Sequence, residues 1–147
     1  MLVEDVMETN IVTCEIDATL RVAVERMLRA HVGSVIVTKE GNPTGIVTET
    51  DTLLAGYRTE QPFGEIPVRS AASGSLVTVE PTRTVRSAIQ LMREEAIKKL
   101  PVVEDLDLVG IVTMTDITRH YGDIVREIHD LERPLGRREW ASDGLEE

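Results

Sequence analysis

The chain has 147 residues, 41% of them apolar, enough for one domain of ordinary size or for two small units sharing a core. Twenty-six acidic residues against sixteen basic ones give a net charge of −10, and aromatics are only 3%. That balance disfavours nucleic acid and anionic membranes as partners, because both call for a basic footprint. No run approaches the roughly 20 apolar residues of a membrane helix, and the N-terminus carries acids where a secretory leader carries basic residues. A cytoplasmic location with no membrane contact is expected.

In chain order, residues 11–14 predict a short strand. A helix follows from about Ala18, where Leu20, Ala23, Val24, Met27 and Leu28 recur at helical spacing. The β-branched run 35–38, a turn at residues 39–42 and a second run ending at Val47 predict a hairpin that leads into another helix over 50–57. A stretch with two prolines and a glycine, residues 58–67, then intervenes. Beyond it Val85, Ala88, Ile89 and Met92 mark a helix, residues 100–103 and 108–112 a hairpin with an acidic turn, and residues 115–121 a closing helix. After Asp123 a charged amphipathic helix is expected to about Glu132, broken by Pro134 and Gly136 and followed by a frayed acidic end, residues 140–147.

These elements form two copies of one pattern. Shifted by 65 residues without a gap, GIVTETD from Gly45 lies on GIVTMTD from Gly110, and 14 of the 41 positions 11–51 are identical. Chance would give about 2–3 at average residue usage. The expected architecture is α+β: two β-α-β-β-α repeats, residues 1–60 and 61–122, packed about a pseudo-twofold axis, with a C-terminal helix and tail over 123–147. A unit of this size cannot bury both faces of its sheet alone, whereas two together can.

Thr48-x-Thr50-Asp51 and Thr113-x-Thr115-Asp116 fall at strand-to-helix junctions. Free backbone N–H groups and the helix dipole favour a phosphate there, and the threonine hydroxyls add donors. An aspartate beside an anion makes sense on a sugar, where one carboxylate accepts from both ribose hydroxyls. The residue mix therefore suits a ribose phosphate. Thr-x-x-Asp at a helix start is also close to a capping box, which needs no ligand at all.

The two G-I-V-T-x-T-D segments, the K-K-L-P-V-V run from Lys98 and the V-T-V-E-P-T-R-T-V opening from Val77 together resemble the cystathionine-β-synthase-type (CBS) domain family over residues 1–122. The resemblance implies a disc-shaped pair with two clefts between the repeats, adenosine-containing ligands (AMP, ADP, ATP or S-adenosylmethionine) and dimers of the pair. It places Asp116, Thr113 and Thr115 opposite Met7, Asn10 and Val12, and Asp51, Thr48 and Thr50 opposite Ala72, Ser75 and Val77. The backbone at Val12 and Val77 would read the adenine edge, and Lys98 and Lys99 stand where relatives carry phosphate-binding residues. Gly33-Ser34 faces Lys98-Lys99 in the alignment of the copies, and Ile16 and Ile36 face Pro81 and Pro101. The two clefts are therefore expected to differ, one of them holding a polyphosphate more tightly.

The expected role is a regulatory, non-enzymatic module that binds a nucleotide without any required cofactor and signals to an effector protein. A dimerisation unit with empty clefts is the competing reading. His31, His120 and His129 have no metal-ligand spacing with Cys14, and Cys14, in a half-buried strand, reads as a core residue.

Overall fold

The computed structural model describes residues 1–72 and 76–130. The first repeat contributes α1 (Val3–Val6), β1 (Thr13–Glu15), α2 (Leu20–Ala30), β2 (Ser34–Lys39), β3 (Asn42–Thr48) and α3 (Glu49–Thr59). A 3-10 turn (Phe63–Glu65) leads to α4 (Val68–Ala71), α5 (Val85–Glu95), β4 (Lys99–Glu104), β5 (Asp107–Thr113) and α6 (Met114–Asp130). The final helix runs without interruption through the position where the second repeat was expected to end. The stop at Pro134 and Gly136 and the acidic end lie outside the described residues, as does Ser75.

The helices α2 and α5 follow from their apolar stripes. α2 buries Leu20, Ala23 and Met27, and α5 buries the repeat-equivalent Val85, Ala88 and Met92. Leu28, expected on the apolar face, instead stands 47% exposed. Thr84 starts α5 by accepting from the Ser87 amide at 3.0 Å, one of the helix-start donors that would otherwise lack a partner. Both hairpins are antiparallel and kink once, between Val37 and Thr38 and between Val102 and Val103, again 65 residues apart.

The repeats differ at their first strand. In the first copy β1 pairs in parallel with β2 through Thr13, Cys14 and Glu15. The Ile36 amide donates to Val12 and the Ile16 amide to Thr38, closing both ends of the ladder. In the second copy Pro101 and Pro81 occupy those two donor positions and carry no N–H. Only the central part survives, as a single parallel bridge between Val79 and Val102. The second sheet therefore has two strands where the first has three.

The cores are closed by exchange. One cluster gathers Leu20, Ala23, Met27, Val35, Val37 and Val47 with Ile66 and Val68, which follow the first repeat's last helix. The other gathers Val85, Ala88, Met92, Leu100, Val102, Val112 and Ile117 with Val3, from the opposite end of the chain. The bonds that seat these segments are repeat-equivalent. Val3 donates to Arg83 at 2.8 Å as Val68 donates to Ala18 at 3.0 Å, and Val85 donates to Met1 at 3.0 Å as Leu20 donates to Ile66 at 2.8 Å. Bridges Leu2–Thr84 and Thr19–Pro67 repeat the symmetry. Gly110 permits the seating of the N-terminal segment: a Cβ there would lie 2.7 Å from the Met7 sulfur and 3.0 Å from the Glu8 carbonyl.

Val3→Ala and Val68→Ala should each cost about 1–3 kcal/mol, since each empties a fully buried site. Both variants should unfold in urea in one transition monitored by circular dichroism. A biphasic curve for either would show that the exchanged segments do not tie the two cores together.

Candidate functional site

The seated N-terminal segment brings the entry to β1 against the start of α6. Glu8 forms an antiparallel bridge with Ile111, its amide donating at 2.8 Å and its carbonyl accepting at 3.0 Å. Between these elements lies a cleft of about 370 Å³, within the roughly 300–1,000 Å³ usual for small-molecule sites. Asn10 and Val12 line it from the first repeat, and Thr113, Thr115 and Asp116 from the second. Of the sequence-derived candidates, these five come together, and Lys99 joins them. Met7 packs against the second core. Lys98 is exposed and is not among the residues lining this cleft.

At the start of α6, Thr113 Oγ1 accepts from the Asp116 amide at 3.0 Å. The threonine is thus a cap, with its own hydroxyl hydrogen still available to donate. Among the described residues no backbone amide returns a bond to the Asp116 carboxylate. Its nearest cation is Arg119, one helical turn on, with Nη1 4.0 Å away. The side chain of Asp116 is 22% exposed, open to the cleft rather than sunk in the core.

The equivalent aspartate is spent differently. Thr48 Oγ1 accepts from the Asp51 amide at 3.3 Å, and Asp51 Oδ2 accepts from the Thr48 amide at 2.8 Å. This is a complete capping box, so both Asp51 and Thr48 are engaged by their own helix. Thr50 is exposed, Ala72 packs against the first core and Val77 against the second.

The peptide of Val12 also differs from its counterpart. Its carbonyl accepts from the Ile36 amide at 2.9 Å, whereas at Val77 the corresponding residue is Pro101, which has no N–H to offer.

Lys99 supplies a half-buried charge. Its Nζ donates to the Gly33 carbonyl at 2.9 Å, reaching from the second repeat into the first. Burial holds the ammonium below the usual lysine pKa, against the opposing pull of Glu49, Asp51 and Asp116. Arg119, His31, Glu8 and Ser34 also line the cleft and were missed from sequence. Arg119 was legible as the residue three after Asp116 on one helix face. His31, a helix-end residue as expected, is the left-handed C-cap of α2. Burial is the largest influence on the Cys14 thiol and raises its pKa, with Arg26 lowering it and Glu15 raising it. The residue sits in the first core, away from the nucleophilic range. No described helix is long and apolar enough to cross a membrane.

The fold is thus a duplicated, core-exchanged pair with a ligand-sized cleft between its halves. The family model for the CBS domain matches residues 3–57 and 65–123, and the chain belongs to that family. It is 32% identical over 115 residues to the CBS domain-containing protein YhcV of Bacillus subtilis, covering 78% of this chain and 81% of that one. It is 38% identical over 93 residues to the uncharacterized protein MK0525 of Methanopyrus kandleri, covering 61% of this chain but only 47% of that longer protein. The CBS domain pair of protein MJ0100, solved with 5-methylthioadenosine and S-adenosyl-L-methionine, superposes with a TM-score of 0.75 at 22% identity, over 84% of this chain and 98% of that one.

Without ligand, Asp51→Ala should lower stability by about 1 kcal/mol, because it opens a reciprocal cap. Asp116→Ala should cost less than half as much in the same urea titration. Equal losses would mean that Asp116 is also held as a helix cap.

Proposed function

We propose that this chain is a regulatory module that binds an adenosine nucleotide in the cleft between its repeats and passes that occupancy to a partner protein. The observation that carries the reading is the Asp116 carboxylate. It faces the cleft, opposite Asn10 and Val12 of the other repeat, and among the described residues no backbone amide claims it. In that position it accepts the two ribose hydroxyls. The apolar walls of Val12, Ile36 and Ile111 flank the base, and the start of α6, with Thr115, takes the phosphate. Lys99 and Arg119 line the same cleft and favour a phosphate tail over the cationic tail of S-adenosylmethionine. No general base paired with a nucleophile enters this reading, and the chain acts by binding rather than by catalysis.

The Asp51 side supports a second reading. Its carboxylate closes a capping box, so this junction serves the helix first and is the poorer nucleotide site. Association belongs to the proposal as well. α3 exposes Leu53, Leu54 and Tyr57, and α6 exposes Tyr121, an apolar surface suited to a second copy of the chain. Sedimentation equilibrium should give twice the mass of the chain, and Leu53→Glu with Tyr57→Glu should halve it. An unaltered mass in the double variant would place the contact elsewhere.

The function is tested by thermal shift and calorimetry with AMP, ADP, ATP and S-adenosylmethionine. A ligand at 100 times its dissociation constant stabilises the fold by about 2.7 kcal/mol, roughly 5–10 degrees for a chain of this size. Wild type should shift with an adenine nucleotide, Asp116→Ala should lose the shift, and Asp51→Ala should keep it from a lower starting temperature. If no nucleotide shifts the wild type, the clefts are empty and the module is a scaffold.

A further inference from the structure

Lys99 occupies a position that a single binding cleft does not require. In β4 it lies opposite Thr113 of β5, in the strand that delivers the Thr-x-Thr-Asp segment to the Asp116 cleft. Its side chain then leaves the second repeat and donates to Gly33, 66 residues away. The Gly33 carbonyl also accepts from the Glu49 amide at 3.1 Å, and Glu49 is the first residue of α3. One oxygen of the first repeat is thus shared by the ammonium of Lys99 and the opening amide of the helix that carries Asp51. A Cβ added at Gly33 would lie 3.0 Å from Lys99 Nζ and 2.9 Å from Glu49 Oε1, which shows how closely these groups gather.

The arrangement is one-way. The repeat-equivalent of Lys99 is Ser34, whose side chain is too short to make the reverse crossing, and which is buried in β2 opposite Thr48. Glu49 and Asp51 at the start of α3, and Asp116 at the start of α6, all act on the Lys99 charge. An ammonium has three donors, and among the described residues Gly33 takes one.

We propose that Lys99 couples the two repeats: an anionic group bound in the Asp116 cleft draws its ammonium from Gly33 and so alters the N-terminus of α3 in the other repeat. The coupling rests on the cleft being a nucleotide site. It adds that the Asp116 and Asp51 sides communicate through one side chain, and only when the ligand in the Asp116 cleft carries a phosphate. Adenosine, which lacks that charge, fills the cleft without moving Lys99.

The test is amide-resolved NMR on the full chain, titrated with AMP and with adenosine, in wild type, Lys99→Met and Asp116→Ala. Gly33 lines the cleft itself, so Glu49 is the reporter: in wild type both probes should shift the amides of residues 113–116, and only AMP should shift that of Glu49. Lys99→Met keeps the aliphatic stem and removes a buried charge, so it should fold at least as well as wild type. In that variant AMP should still shift residues 113–116, with an affinity about tenfold weaker, as befits one lost charge-assisted hydrogen bond. Glu49 should no longer respond to it. Asp116→Ala should silence both regions. If neither probe moves residues 113–116 in wild type, the nucleotide reading fails and the coupling with it. If those residues move while Glu49 stays still in wild type, or Glu49 still responds in Lys99→Met or in Asp116→Ala, the nucleotide reading stands and the coupling is overturned.

Discussion

The structure depends on the exchange of two short segments. Val3 completes the core built by residues 79–117, and Ile66 and Val68 complete the core built by residues 14–47. Neither hydrophobic cluster is closed by its own stretch of sequence, which is the expected difficulty of a unit of about 60 residues. The same exchange carries the chain after α1 across the second repeat, where Glu8 bridges Ile111. Asn10 and Val12 therefore meet Thr113 and Asp116 as a consequence of how the cores are filled. Core closure and cleft formation are one event.

Much of this was legible in the sequence, because duplication doubles every weak signal. A single Thr-x-Thr-Asp says little, but two in register at the ends of matching hairpins located both helix starts. The short helices α1 and α4 were not legible. At four residues each, they are too brief for a 3.6-residue period to register, and their partners lie in the other repeat. The loss of the second copy's first strand was visible only as Pro81 and Pro101. Their meaning depended on knowing that Ile16 and Ile36 donate the two bonds that end the β1 ladder. The crossing of Lys99 to Gly33 had no local pattern to announce it, being a contact between residues 66 apart.

Divergence has acted on the two copies in different currencies. The first retains a three-stranded sheet and a closed cap at Asp51. The second gives up two strand hydrogen bonds, leaves the Asp116 carboxylate without a backbone donor among the described residues, and places a half-buried ammonium where the first has a serine. Burying that charge is unfavourable by itself, since desolvation outweighs the pull of three nearby carboxylates. The features that weaken the second copy as a structure are the ones that make its cleft chemically open.

The exchange also sets an order of events for a chain made from one end. Val3 leaves the ribosome well before residues 79–117, which form its resting place. The first repeat can settle once Val68 has emerged, but the segment that preceded it must wait, exposed, until the second hairpin and α6 exist to receive it. A segment made early in the pair is thus among its last to be buried. Synthesis of the complete pair, rather than of either half, is the point at which the fold locks.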